Sequence, residues 1–258
     1  MQQRCVFFLR IPIVLSRQLC YNKENNLSVI IAMPDPVYYH ADCNSFFASV
    51  EETFHPEYKK VPMAVAGDPA NRHGIILAKN ELAKGYGIMT AETIHSAKRK
   101  CPALLLCPPR RGEYGEFCDR INAIYETYTD FAERFSIDES FLDMTFFRGD
   151  ELVIAHEIRE RVARETGITI SIGVSWNRTF AKMGSDYKKP NAVTHITREN
   201  YQQILWPLPV GELFGVGRKM VPELDKYSIR TIHVAEFLLI HQASHLHPNR
   251  KRWLAGSI

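Results

Sequence analysis

No stretch of this 258-residue chain is apolar for long enough to cross a membrane. The opening run "CVFFLRIPIVL" has the look of a short signal segment. Arg10 and Pro12 interrupt it, and no small-residue cleavage site follows. Metal-type cysteine spacing is also missing. Cys5, Cys20, Cys43, Cys101, Cys107 and Cys118 are scattered, and the closest pair, Cys101 and Cys107, is too far apart for a zinc knuckle. Free thiols in a reducing, cytoplasmic setting are therefore expected. Excess charge of one sign is lacking too. The formal net charge is +3, too small by itself to imply a polyanionic partner. What remains is an ordinary globular composition, 45% hydrophobic and 24% charged, sized for one large domain or two to three small ones.

Periodicity then gives the elements. "PVYYHAD" predicts a strand over 36–42, and "SFFASVEETF" a short helix with Asn44 or Ser45 as its N-cap. "VPMAVAG" and "GIILA" predict two short strands. "KNELAKGYG" and "TAETIHSAKRKC" predict helices, and "ALLLC" another strand. Tyr114, Phe117, Ile121, Ile124, Tyr128 and Phe131 recur at helical spacing and predict one long amphipathic helix. "RFSID" and "ESFLDMT" predict two strands meeting near Asp138-Glu139. Ile154, Ile158 and Val162 mark a further helix closed at Gly167. "ITISIGVS" alternates strictly, which predicts a half-buried strand.

With residues 53–109 set aside as an insertion, this order is a split βαβ unit of the ferredoxin-like α+β class. In that topology the first and third strands are antiparallel neighbours. The end of the first, Asp42, then meets the start of the third, Asp138-Glu139. Taken singly, Asp42 is a turn residue and Asp138-Glu139 a solvated hairpin. Their convergence through an independently read topology gives them weight. Three clustered carboxylates repel one another and need a counter-charge. An all-oxygen set suits Mg²⁺, held by carboxylates and substrate phosphates, and two such ions about 4 Å apart suit phosphoryl transfer. The main-chain oxygen of Cys43 could complete the shell. Cations for a triphosphate are at hand in Lys84, and in Lys182, Lys188 and Lys189 after the last strand. Each alone is an ordinary surface lysine. Gly215-Val216-Gly217 lies between two short helical runs, as in a helix-hairpin-helix, with Arg218 and Lys219 behind it to meet a nucleic-acid phosphate.

Together "HADCNSFFASVE", "GIILAKNELAKGYGI", "SIDESFLDMT", "SIGVSWNRTFAKMGSDYKKPNAV" and "GVGRK" resemble the Y-family lesion-bypass DNA polymerases, of the bacterial DNA polymerase IV type, from Tyr38 to Phe237. The resemblance implies a ferredoxin-like βαββαβ palm over 35–52 and 110–198, with small fingers inserted at 53–109. A helical thumb with a helix-hairpin-helix spans 199–240. Residues 1–34 are then an N-terminal extension, possible disorder included, and 241–258 a tail. Asp42, Asp138 and Glu139, with the Cys43 carbonyl, match the family's ligands for two Mg²⁺ ions. Phe47 matches the steric gate that excludes a 2′-hydroxyl, and Phe46 is core. Lys189 matches the family's triphosphate lysine, Lys84 stands where many members have arginine, and Lys182 remains a substrate-binding candidate because a helix starting at Asn177 leaves it near Lys189 at the same sheet edge. Gly215, Gly217, Arg218 and Lys219 are implied DNA contacts. Asn44 departs from members with a second aspartate there, and Glu81 from some with tyrosine.

The implied activity is template-directed, low-fidelity DNA synthesis in lesion bypass and repair. The implied partners are primer-template DNA and deoxynucleoside triphosphates, with the protein a monomer. The tail "HQASHLHPNRKRWLAGSI" resembles nothing in the family's further, little-finger domain. Weak, salt-sensitive DNA binding and low processivity are expected from its absence, and any sliding-clamp contact would lie in that absent region. Two rivals stand beside this: a catalytically weak or inactive DNA-binding fragment, and a nucleotide cyclase, which needs no duplex grip.

Overall fold

The computed structural model describes residues 17–21, 27–31, 34–67, 74–110 and 112–236. The chain divides into two units, Met1–Asp35 and Pro36–Ile258. In the first, where an extension is expected, strands β1 (Arg17–Tyr21) and β2 (Leu27–Ile31) pair antiparallel.

The second unit opens with strand β3 (Tyr38–Cys43) and helix α1 (Phe46–Phe54). The chain then departs into strands β4 (Met63–Ala66) and β5 (Ile76–Lys79), helices α2 (Glu81–Gly85) and α3 (Ile94–Lys100), and strand β6 (Leu105–Cys107). The three strands form a sheet in the order β5-β4-β6. Asn80 and Thr93 start α2 and α3 by accepting from the amides of Ala83 and Ser96. The core of this region is made largely of small side chains, with Ala64, Ala66, Ala83 and Ala97 packed around Ile76, Ile88 and Leu104.

The chain returns as α4 (Glu113–Tyr125), β7 (Ala132–Arg134), β8 (Glu139–Asp143), α5 (Glu151–Thr166), β9 (Ile170–Ser175), α6 (Arg178–Tyr187) and β10 (Val193–Ile196). The larger sheet has the order β10-β9-β3-β8-β7. Without β10 this is the split βαβ order expected from the sequence, with β3 antiparallel to both β8 and β9. β10 adds a parallel edge strand. Asp150 caps α5 through the amides of Leu152 and Val153, and Gly167 ends it with φ 77°.

Three local expectations are corrected. α4 stops at Tyr125, so Tyr128 and Phe131 are not part of it. Thr127 donates its hydroxyl to the Ile124 carbonyl and Thr129 donates to the Asp143 carbonyl, which competes with further helix. β9 is buried on both faces, not one. Ile170, Ile172 and Val174 join the core with α4 and α5. The opposite face meets α6 at Gly173, where a Cβ would lie 1.9 Å from the Ala181 carbonyl oxygen and 2.4 Å from the Ser185 nitrogen. Only glycine permits that approach. Finally, α1 starts without a side-chain cap, and Ser45 holds a left-handed backbone, φ 49°.

Beyond β10 come α7 (Tyr201–Leu205), a 3-10 turn at Val210–Glu212 and α8 (Met220–Asp225). Leu205, Leu213, Val216 and Ile232 pack on Phe180 and Met183 of α6 and Ile196 of β10. The residues after α6 are thereby held to the same helix that covers the sheet. Cys43, Cys101, Cys107 and Cys118 are free and buried, and among the described residues no helix is long and apolar enough to cross a membrane.

Candidate active site

Asp42 is the cross-strand partner of Glu139 on one side and of Ser171 on the other. Directly paired residues share a face of the sheet, so the two carboxylates project together. The helix over that face is α6, started by Asn177, whose side chain accepts from the Phe180 amide. Lys182 of α6 donates to Glu139 Oε1 at 2.7 Å and to Asp42 Oδ2 at 3.2 Å. Lys189, just past the helix, donates to Asp42 Oδ2 at 2.6 Å. Asp186 pairs with both ammonium groups, at 3.1 Å and 2.7 Å.

Asp42 is buried, and burial alone would raise its pKa. Lys189 and Lys182 outweigh that and hold it below the ordinary carboxylate value. Burial is the main cause that raises Glu139, with Asp42 opposite adding to it against Lys182. Burial lowers both lysines less than the carboxylates raise them, so each holds its proton more tightly than usual. His40 lies beneath, fully buried, and its pKa is pushed down to about 3 by burial and then by Lys182. Its Nδ1 is 2.8 Å from Ser185 Oγ, and that hydroxyl donates to the Lys182 carbonyl. The Nδ1–H therefore donates to Ser185, and Nε2 faces Glu139 Oε2 at 4.0 Å.

Asp138 does not join them. Its carboxylate accepts from Ser136 Oγ at 2.6 Å, and it lines a shallow pocket with Cys43, Asn122 and Tyr125 on the α4 side. Asp138 precedes β8, whose first residue is Glu139, so the strand pairing that sets Glu139 opposite Asp42 does not extend to it. Its backbone stays close, since the Cys43 amide donates to the Asp138 carbonyl at 2.9 Å. Among the described residues no three His, Cys, Asp or Glu side chains are grouped to hold a metal. The convergent pair nonetheless suits a hard cation. Its donors are all oxygen, and the ammonium groups of Lys182 and Lys189 hold Asp42 Oδ2 and Glu139 Oε1, which a bound cation would share or take over.

Residues 41–186 match the family described as impB/mucB/samB. The chain belongs to this family. It is 47% identical over 196 residues to a DNA polymerase IV of Acetivibrio thermocellus, covering 75% of this chain and 49% of that protein. A second relative, DNA polymerase IV 2 of Bacillus subtilis, is 39% identical over 206 residues, covering 78% and 50%. The chain thus spans about half the length of the curated relatives it matches. Among solved structures, DinB from Sulfolobus solfataricus superimposes with a TM-score of 0.74 at 25% identity, covering 85% of this chain and 65% of that one. An insertion ternary complex of Dbh DNA polymerase gives 0.75 at 25% identity, covering 85% and 66%.

The impB/mucB/samB match ends at the cluster's Asp186, and the other candidate residues are held in different ways. Phe46 is buried, as expected. Phe47 is half-buried and stacks on Tyr114, ring centroids 4.4 Å apart. Tyr114 in turn donates to buried Glu51, which also accepts from Arg110 Nε at 2.8 Å. Lys84 lies on the surface and, among the described residues, donates locally to Glu81 at 2.6 Å rather than to the Asp42 cluster. Glu81 also accepts from Ser45 Oγ, joining α2 to the start of α1. Lys188 is exposed. Gly215 has φ 92° and needs glycine, whereas Gly217 has an ordinary backbone and open space for a Cβ. The element before this turn is a 3-10 turn rather than a helix, and Arg218 and Lys219 are exposed ahead of α8. Asp186 and His40 escape a reading of the sequence. Only the spacing of Asp186, four after Lys182 and three before Lys189, hints at its part.

Proposed function

We propose that this chain carries the catalytic part of a Y-family DNA polymerase, transferring deoxynucleotides to a primer 3′-hydroxyl under the direction of a template. One observation carries the reading: Asp42 and Glu139 are locked opposite each other and faced by Lys182 and Lys189. The polymerase names of its relatives support it. In this reading the five-stranded sheet is the palm, the β4–β6 region the fingers and the residues from 199 the thumb.

Two Mg²⁺ ions would be held by Asp42, Glu139 and the main-chain oxygen of Cys43, with Asp138 joining them once its carboxylate turns from Ser136; when bound they lower the pKa of the primer hydroxyl and balance charge on the leaving pyrophosphate. The remaining work belongs to the chain. Lys189 and Lys182 supply fixed positive charge for the triphosphate, set in place before the substrate arrives. Lys84 adds a more loosely held charge from the fingers. Phe47, braced by Tyr114, lies under the sugar and excludes a 2′-hydroxyl. The turn at Gly215–Gly217 with Arg218 and Lys219 grips phosphates of the primer-template duplex. A small fingers region encloses the nascent pair loosely, which fits low fidelity and passage over damaged bases.

Primer extension with Mg²⁺ and the four deoxynucleoside triphosphates tests this directly. The wild-type chain extends the primer and Asp138→Ala does not. Equal extension by both rejects the site. A binding fragment retains the duplex but extends nothing, and a cyclase consumes nucleotide without any template.

A further inference from the structure

Asn44 is buried, and its side-chain amide spends every polar atom on distant segments. Nδ2 donates to Ser171 Oγ at 2.9 Å. Oδ1 accepts from Thr169 Oγ1 at 3.1 Å and from the Asn191 backbone N–H at 2.8 Å. The first two fasten it to the start of β9. The third fastens it to the turn after α6, two residues beyond Lys189. Asn191 is held from the other side as well, where Arg159 of α5 donates to its carbonyl and its Oδ1, each at 3.0 Å. Its backbone is left-handed, φ 54°, a conformation that asparagine tolerates.

Lys189 has a long, flexible stem whose ammonium group is held by Asp186 on its own segment and by Asp42 on β3. The direction of the stem is set by the backbone of the turn. We propose that Asn44 is a positioning residue for Lys189: by pinning the Asn191 end of that turn to β9, it aims the ammonium group at the triphosphate site beside Asp42. The inference rests on the polymerase reading for its substrate, and on geometry alone for its mechanical part. It also accounts for asparagine where the resemblance leads one to expect aspartate. A carboxylate keeps the acceptor for Asn191 and Thr169, and the Ser171 hydroxyl can turn to donate to it.

Two measurements test it. In primer extension, Asn44→Ala raises the KM for deoxynucleotide about tenfold while kcat moves less than about threefold, as loss of uniform substrate binding requires. In a Lys189→Ala background the same change costs under about twofold, because the two act as one unit. Asn44→Asp restores KM to within about threefold of wild type. Additive losses, or a fall in kcat at constant KM, overturn the proposal. The second measurement needs no catalysis: acylation of lysines by a hydroxysuccinimide ester, read by peptide mass spectrometry, with Lys182 as internal reference. Asn44→Ala speeds acylation of Lys189 several-fold and leaves Lys182 unchanged. An equal rise at both lysines, or none, overturns the proposal. A chain that never extends a primer would sink the polymerase reading and still give this second answer. Should Asn44→Ala fail to fold, Thr169→Val removes one of the three bonds and shifts Lys189 the same way, by less. No shift there overturns the proposal equally.

Discussion

The two sheets of the second unit hold their lysines in opposite ways. Around the five-stranded sheet, strand β9 is buried on both faces and α6 approaches it to backbone contact at Gly173 and Gly184. Lys182 of that helix and Lys189 just past it share Asp42 and Asp186, and Lys182 also holds Glu139. The three-stranded sheet has a core rich in alanine, and its Lys84 is a surface side chain paired locally with Glu81. The first arrangement fixes charge in space before any substrate is present. The second leaves charge free to adjust. In the proposed polymerase reading, a rigid half and an adaptable half suit one chemistry done on varied base pairs.

The contrast can be broken at its stiffest point first. Gly173→Ala forces a Cβ into the α6 backbone and should cost about 3 kcal/mol or prevent folding, since backbone cannot rotate away as a side chain can. Urea denaturation measures this, and a loss below about 1 kcal/mol would show the helix to be loosely seated. Next is the joint between the two sheets. Glu51 on α1 is wholly buried and is neutralised by Arg110, which begins the return from the inserted region. Glu51→Ala leaves the Tyr114 hydroxyl and Arg110 Nε without their acceptor, His55 still meeting the guanidinium, and should cost about 2 kcal/mol. An unchanged midpoint would mean that the two halves are joined by something else.

Smaller effects separate the lysines themselves. Lys189→Ala should raise the KM for deoxynucleotide about tenfold, equivalent to about 1.4 kcal/mol of binding. Lys84→Ala should change it less than about threefold and leave the thermal midpoint where it was, because an exposed pair contributes little. Equal kinetic penalties from the two lysines would erase the distinction between a fixed and an adaptable half.

The features carried by short-range pattern were legible in the sequence. The strand and helix order of the split unit, the end of α5 at Gly167, and the meeting of Asp42 with Glu139 all follow from periodicity and topology. What escaped depends on partners far away in the chain. The serines and glycine alternating with Ile170, Ile172 and Val174 have the pattern of a solvent face, and only α6 folding back covers them. Asn44 bonds residues 125 to 147 positions away, so nothing near it declares its part. Adjacent letters part company in one place: Asp138 and Glu139 stand together in sequence, but only Glu139 lies in β8 opposite Asp42, while the Asp138 carboxylate accepts from Ser136. Tyr128 and Phe131 kept helical spacing past the point where threonine hydroxyls had already ended α4.

The measurement closest to the central claim is single-nucleotide incorporation on a primer-template in Mg²⁺, comparing wild type with the isosteric Asp42→Asn. Asp42 is where the strand register, both α6-segment lysines and the facing Glu139 meet. The account predicts a folded variant whose incorporation rate falls at least about a thousandfold, the scale expected when fixed charge at a reaction centre is removed. A rate within a few-fold of wild type would contradict it.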